Sequence, residues 1–85
     1  MTRVVVVTLY GKPGCHLCED ALAAVERVRA ERTFELEQVD VSLDPVLNRR
    51  YGERIPVLEL GGEELSEYYV DEAVLREALD RVNSR

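Results

Sequence analysis

The hydrophobic period of this chain switches repeatedly between that of a strand and that of a helix. The breaks fall at Gly11-Lys12-Pro13-Gly14, Asp44-Pro45 and Gly61-Gly62, and this alternation restricts the available folds more than any other feature. Val4 to Leu9 is β-branched and apolar on both faces, which predicts a strand in the middle of a sheet. After the first break, Cys18, Ala21, Leu22, Val25 and Val28 recur at three- and four-residue spacing. That stripe predicts an amphipathic helix from about Cys15 to Glu31. Phe34, Leu36 and Gln38 alternate with Glu35, Glu37 and Val39, so a second strand is predicted from about Thr33 to Val41. Asp44 before Pro45 reads as a helix cap followed by proline at the first helical position. It opens a short helix through Arg50 that stops at Gly52. Ile55 to Leu60 is a third strand despite Pro56, Gly61-Gly62 is a tight turn, and Glu64 to Tyr69 returns as a fourth strand. Tyr68 and Tyr69 are then expected on opposite faces of that strand. Asp71 caps a last helix with Val74, Leu75, Ala78, Leu79 and Val82 as its buried stripe.

The resulting order, β-α-β-α-β-β-α, is that of an α/β fold with a mixed four-stranded sheet and three flanking helices. At 85 residues the chain is expected to form a single domain, 1–85. It shows no internal repeat, low-complexity segment or linker. The charge runs at Glu26 to Arg32 and Glu63-Glu64 are expected to be solvated faces without a functional role. Seventeen acidic against eleven basic side chains, a formal charge of −6, speak against binding a phosphate backbone, so no nucleic-acid partner is expected. The apolar run Val4 to Val7, like Ala21 to Val25, falls far short of the ~20 residues that cross a bilayer, and Val4 to Val7 is too short and too poorly flanked for a secretory signal. The expectation is a soluble, cytoplasmic, monomeric protein without a membrane role.

The chain has two cysteines, and they sit three apart as Cys15-His16-Leu17-Cys18. So tight a pair closes almost no loop and contributes little as a staple, which leaves chemistry or a metal as its purpose. The helix beginning at Cys15 presents roughly half a positive charge and unpaired N–H groups at its start. The thiol of Cys15 is therefore expected to ionise below the ~8.5 of a free cysteine, with Lys12 adding a nearby cation. Glu19 and Asp20 oppose an extreme shift. Cys15 is then the attacking nucleophile, and Cys18, one turn further in and more buried, the resolving thiol. His16 either assists as a cation or contacts the substrate. A structural zinc site needs four ligands, and two cysteines beside one histidine do not supply them, so no metal is expected within one chain.

Strand, loop, Cys-x-x-Cys and helix at the start, followed by Ile55-Pro56 opening a later strand, resemble the thioredoxin superfamily, and within it the small glutaredoxin-like proteins. The resemblance runs through the whole chain in element order. It is carried by Tyr10-Gly11-Lys12-Pro13-Gly14-Cys15-His16-Leu17-Cys18 and Arg54-Ile55-Pro56. It implies a thioredoxin-like fold in which the Ile55-Pro56 bond is cis and faces the cysteines, with the Ile55 backbone contacting an incoming peptide or glutathione. It also implies Lys12 as the cation near a glutathione carboxylate and Asp71 opposite a glutathione ammonium. His16-Leu17 replaces the Pro-Tyr usual between glutaredoxin cysteines, and no tryptophan precedes Cys15 as in thioredoxins.

The activity implied is thiol–disulfide exchange on protein or glutathione mixed disulfides. It needs no resident cofactor, with glutathione or a reductase as electron donor. Two alternatives stand beside it: a non-catalytic thioredoxin-fold adaptor module, and an iron–sulfur carrier in which two chains share a cluster.

Overall fold

The computed structural model describes residues 5–83. Within them the elements run β1 (Val6–Gly11), α1 (His16–Arg29), β2 (Glu35–Asp40), a 3-10 turn (Val41–Leu43), α2 (Pro45–Tyr51), β3 (Val57–Leu60), β4 (Glu63–Glu67) and α3 (Glu72–Asn83). This is the expected α/β order, and the four strands form one mixed sheet in the order β2-β1-β3-β4. β1 pairs in parallel with β2, which the crossover through α1 permits, and antiparallel with β3. β3 and β4 form an antiparallel hairpin closed by Gly61 and Gly62 at φ of 58° and 91°. Positive φ at both turn positions is the conformation that two glycines make inexpensive.

Strand alternation divides the core in two. Val7, Leu9, Leu58 and Leu60 face Ala21, Val25 and Val28 of α1 and Leu75, Ala78 and Leu79 of α3. On the opposite face a smaller cluster, Val41, Tyr51, Ile55 and Val57, gathers beneath α2, with Tyr10, Leu47 and both cysteines packed against it. The helices over the first face are further clasped at their surface. Arg27 pairs with Glu72 at 2.8 Å, Arg32 with Asp80 at 2.8 Å, and Arg76 with Glu31 at 2.7 Å. Each exposed pair is worth little alone, yet together they give the charge run from Glu26 to Arg32 a structural role beyond a solvated face.

Four details depart from the sequence expectations. Val6 is 37% exposed, so β1 is not buried on both faces. The seven residues of α2 are too few to cover the whole second face. Val4, expected in this strand, lies outside the described residues. Val74 is 39% exposed, because the buried stripe of α3 runs one position away through Leu75, Ala78 and Leu79. β4 ends at Glu67, leaving Tyr68 and Tyr69 beyond it. The 3-10 turn at Val41–Leu43 has no counterpart in the hydrophobic pattern; it is capped by Asp40, whose carboxylate accepts the Ser42 N–H at 2.9 Å. Among the described residues no helix is long and apolar enough to cross a membrane.

Truncating Leu79, fully buried between α3 and the sheet, to alanine is expected to cost about 2–5 kcal/mol. Val74→Ala is expected to cost about 0.5 kcal/mol or less. Urea unfolding of the two variants beside the parent checks both.

Candidate functional site

β1 delivers the chain to the site. Its last residue, Gly11, lies so near α1 that a β-carbon there would stand 3.0 Å from Cys18 Sγ and 3.2 Å from Cys18 Cβ. Glycine is what allows the first turn of the helix to settle onto the end of the strand. Gly11 is thus a site residue whose signature in the sequence is only that of a breaker.

Cys15 does not enter the helix but caps it. Its backbone is extended, at φ −102° and ψ 110°, and its Sγ accepts the N–H of Cys18 at 3.2 Å. A sulfur atom thus takes the place of the serine or aspartate oxygen that usually satisfies such an N–H. Both thiols are free, and both are half-buried. The thiol of Cys18 is pushed up from 9.0 to about 11, first by burial and then by its hydrogen bond and proximity to Cys15. The Lys12 N–H and ammonium pull it in the other direction. Lys12 is exposed, as are His16 and Leu17 between the cysteines. Cys18, Gly11 and Lys12 also line a cavity of about 310 Å³ whose floor includes Leu9, Leu22 and Val39.

The Ile55-Pro56 bond is cis. Ile55 and Val57 belong to the buried cluster against which Cys15 and Cys18 pack, so this segment and the dithiol share one side of the molecule. Among the described residues neither the N–H nor the C=O of Ile55 is taken by another backbone group. Asp71 caps α3, its carboxylate accepting the N–H of Ala73 at 3.0 Å and of Val74 at 3.3 Å. That engagement accounts for Asp71 structurally.

A polar cluster supports the segment from below. The rings of Tyr10 and Tyr51 stack with centroids 4.1 Å apart, and their hydroxyls donate to the two oxygens of Glu59 at 3.3 and 2.8 Å. Burial and the Glu59 carboxylate hold both phenols above the ordinary tyrosine range. The guanidiniums of Arg50 and Arg54 lie 5.3 and 5.4 Å from the Tyr51 ring centroid. Arg54 also bonds Glu64 at 2.7 Å and Glu67 at 3.0 Å, tying the residue before Ile55 to β4. Sequence reasoning does not single out Tyr51 and Glu59. Nothing in their spacing ties them to the cysteines: the pairing of β1 with β3 brings Glu59 to Tyr10, and Tyr51 reaches both from the end of α2.

Among the described residues no group of three or more His, Cys, Asp and Glu side chains could hold a metal ion.

The model of the glutaredoxin-like domain family (DUF836) matches residues 6–80. A solution structure of protein Ne2328 from Nitrosomonas europaea is 32% identical, covers 93% of this chain and 95% of its own, and superposes with a TM-score of 0.80. The X-ray structure of protein XcR50 from X. campestris is 36% identical, covers 88% and 96% of the two chains, and has a TM-score of 0.74. A mutant thioredoxin from Halobacterium salinarum is 26% identical over 91% of this chain and 73% of that one, with a TM-score of 0.66. The fold is therefore thioredoxin-like.

The raised Cys18 thiol has a definite pH signature. Its contribution to stability is fully present below about pH 9, the unfolded value, and is lost as pH rises towards about 11. In the reduced protein, the iodoacetamide rate of Cys18, read by mass, should still be climbing at pH 10, because its thiolate fraction is still growing. A rate that levels off below pH 9 would contradict this environment.

Proposed function

The chain belongs to the glutaredoxin-like domain family, and from that premise we propose that it is a thiol–disulfide oxidoreductase acting through Cys15 and Cys18. The observation that carries the reading is the cap: Cys15 Sγ stands at the N-terminus of α1, on the N–H of Cys18, with the second thiol one turn away.

The reaction follows from this placement. The Cys15 thiolate attacks one sulfur of a substrate disulfide; the substrate S–S bond breaks, one substrate thiolate leaves and takes up a proton, and Cys15 is held in a mixed disulfide. Cys18 then gives up its proton and attacks the Cys15 sulfur, closing the Cys15–Cys18 bond and releasing the second substrate thiol. Two electrons and two protons have passed to the substrate. A pair of glutathione thiols, or a reductase dithiol, restores the protein by the reverse exchange.

The high Cys18 value suits the order of events, since a resolving thiol that stays protonated does not compete for the first attack. The Cys18 N–H on Cys15 Sγ, at 3.2 Å, holds the two residues side by side one turn apart. Lys12 and His16, exposed at the rim, are proposed to contact an acidic part of the substrate. Ile55 is proposed to offer its free N–H and C=O to the substrate backbone, with Pro56 fixing its position. Asp71 is proposed to supply a carboxylate through the oxygen its cap leaves free.

Single-cysteine variants divide the two roles. Cys15→Ser is expected to abolish reduction of a model disulfide by dithiothreitol-coupled turnover. Cys18→Ser is expected to accumulate a stable mixed disulfide with the substrate, visible as a mass adduct on Cys15. Turnover by Cys15→Ser at the parent rate would remove the enzymatic reading and leave an adaptor module in its place.

A further inference from the structure

The turn after β4 holds a bulky residue in a conformation that such residues avoid. Tyr68 has φ 72°, the only non-glycine residue at positive φ among those described. In the left-handed region the β-carbon crowds the following carbonyl, and a large side chain makes the crowding worse. Glycine or asparagine would occupy this position with less strain. Two hydrogen bonds hold the backbone there: the Tyr68 N–H is shared between the carbonyl of Pro56 at 2.8 Å and that of Arg54 at 3.1 Å. Those bonds explain the path of the main chain, and a glycine would make them equally well. They do not explain the ring, which is 49% exposed and stacks on no other aromatic side chain among the described residues.

The ring therefore gains little from the fold, while its backbone is fastened to the segment beside the dithiol. Tyr69, 64% exposed, follows it, and Leu17, 52% exposed, lies between the two cysteines. Three large apolar side chains thus stand in water on segments joined to the site. Beside the Tyr68 turn, which is bonded to Arg54 and Pro56, Ile55 offers an N–H and a C=O with no backbone partner among the described residues. An extended polypeptide would satisfy both, as an added strand does, and would set its side chains alternately toward and away from the surface. A small disulfide has neither the second amide nor the flanking side chain.

We propose that Tyr68 is a specificity-determining residue: its strained turn presents an aromatic ring to an apolar side chain near the reactive cysteine of a protein disulfide, and selects such substrates over small disulfides. This deepens the oxidoreductase reading and rests on it. Strained residues that the surrounding structure over-determines concentrate at sites of this kind, and aromatic rings are the side chains that most often carry recognition.

The test compares the parent, Tyr68→Gly and Tyr68→Phe on two probes, insulin as the polypeptide disulfide and bis(2-hydroxyethyl) disulfide as the small one, both reduced with dithiothreitol as electron source. The readout is the ratio of the two kcat/KM values, together with the thermal unfolding midpoint. The glycine variant is expected to lower the insulin-to-small-disulfide ratio about tenfold, the loss of one good apolar contact. Its unfolding midpoint is expected to be no lower than that of the parent, because the strain is gone. The phenylalanine variant, which keeps the ring, is expected to retain the parent's ratio. An unchanged ratio in Tyr68→Gly overturns the proposal while leaving the oxidoreductase reading intact. A ratio that falls together with the midpoint overturns it in favour of a purely structural tyrosine. A parent that reduces neither probe overturns both.

Discussion

The close seating of α1 on the end of β1 is the constraint from which the rest of the site follows. Gly11 leaves only enough room for Cys18, with 3.0 Å between its would-be β-carbon and the sulfur. Farther along the same contact, Ala21, Val25 and Val28 pack on Val7 and Leu9. Because the helix is seated by that core, its first turn has a fixed height above the sheet. Cys15 falls at the cap position with its sulfur on the Cys18 N–H. The geometry of the dithiol is thus an outcome of hydrophobic packing many residues away, while both cysteines themselves pack against the smaller cluster on the opposite face.

The second half of the site is held by polar groups. Stacked Tyr10 and Tyr51 share the Glu59 carboxylate, and Arg54 spans from the Tyr51 ring to Glu64 and Glu67. These contacts join β1, α2, β3 and β4 beneath Ile55-Pro56. A half-buried carboxylate needs such donors, because leaving it unmatched would cost more than the bonds themselves return. The two halves meet in one cluster, where Ile55 and Val57 pack with both cysteines. The two cysteines and the Ile55-Pro56 segment are thereby brought together by contacts on the face opposite α1 and α3.

The element order and the mixed sheet were legible because they rest on local signals: periodicity, the Asp44-Pro45 and Asp71 caps, and the Gly61-Gly62 turn. The position of Cys15 at a helix start was legible for the same reason. What escaped depends on contacts between distant segments. Val6 and Val74 carry apolar side chains, and only the length of α2 and the azimuth of α3 decide that they face water. Tyr68 reads as a strand residue by pattern, yet its N–H is captured by Pro56 and Arg54, which ends β4 at Glu67 and turns the backbone left-handed. Tyr51 and Glu59 lie eight residues apart and 33 or more from either cysteine in sequence, so no spacing rule connects them to the site. The resemblance in Tyr10–Cys18 and Arg54–Pro56 implied the cis bond, and the structure sets Ile55 and Pro56 just ahead of β3 rather than inside it as the pattern predicted, so the missing proline N–H costs no ladder bond.

The central claim is that Cys15 and Cys18 form a working redox couple. Its most direct test is their equilibrium in a series of glutathione buffers, with the thiols trapped by alkylation and counted by mass. A single smooth two-electron transition between about −200 and −270 mV, the span from glutaredoxins to thioredoxin, is the result the account predicts. A pair that stays fully reduced or unreactive across that whole series would contradict it.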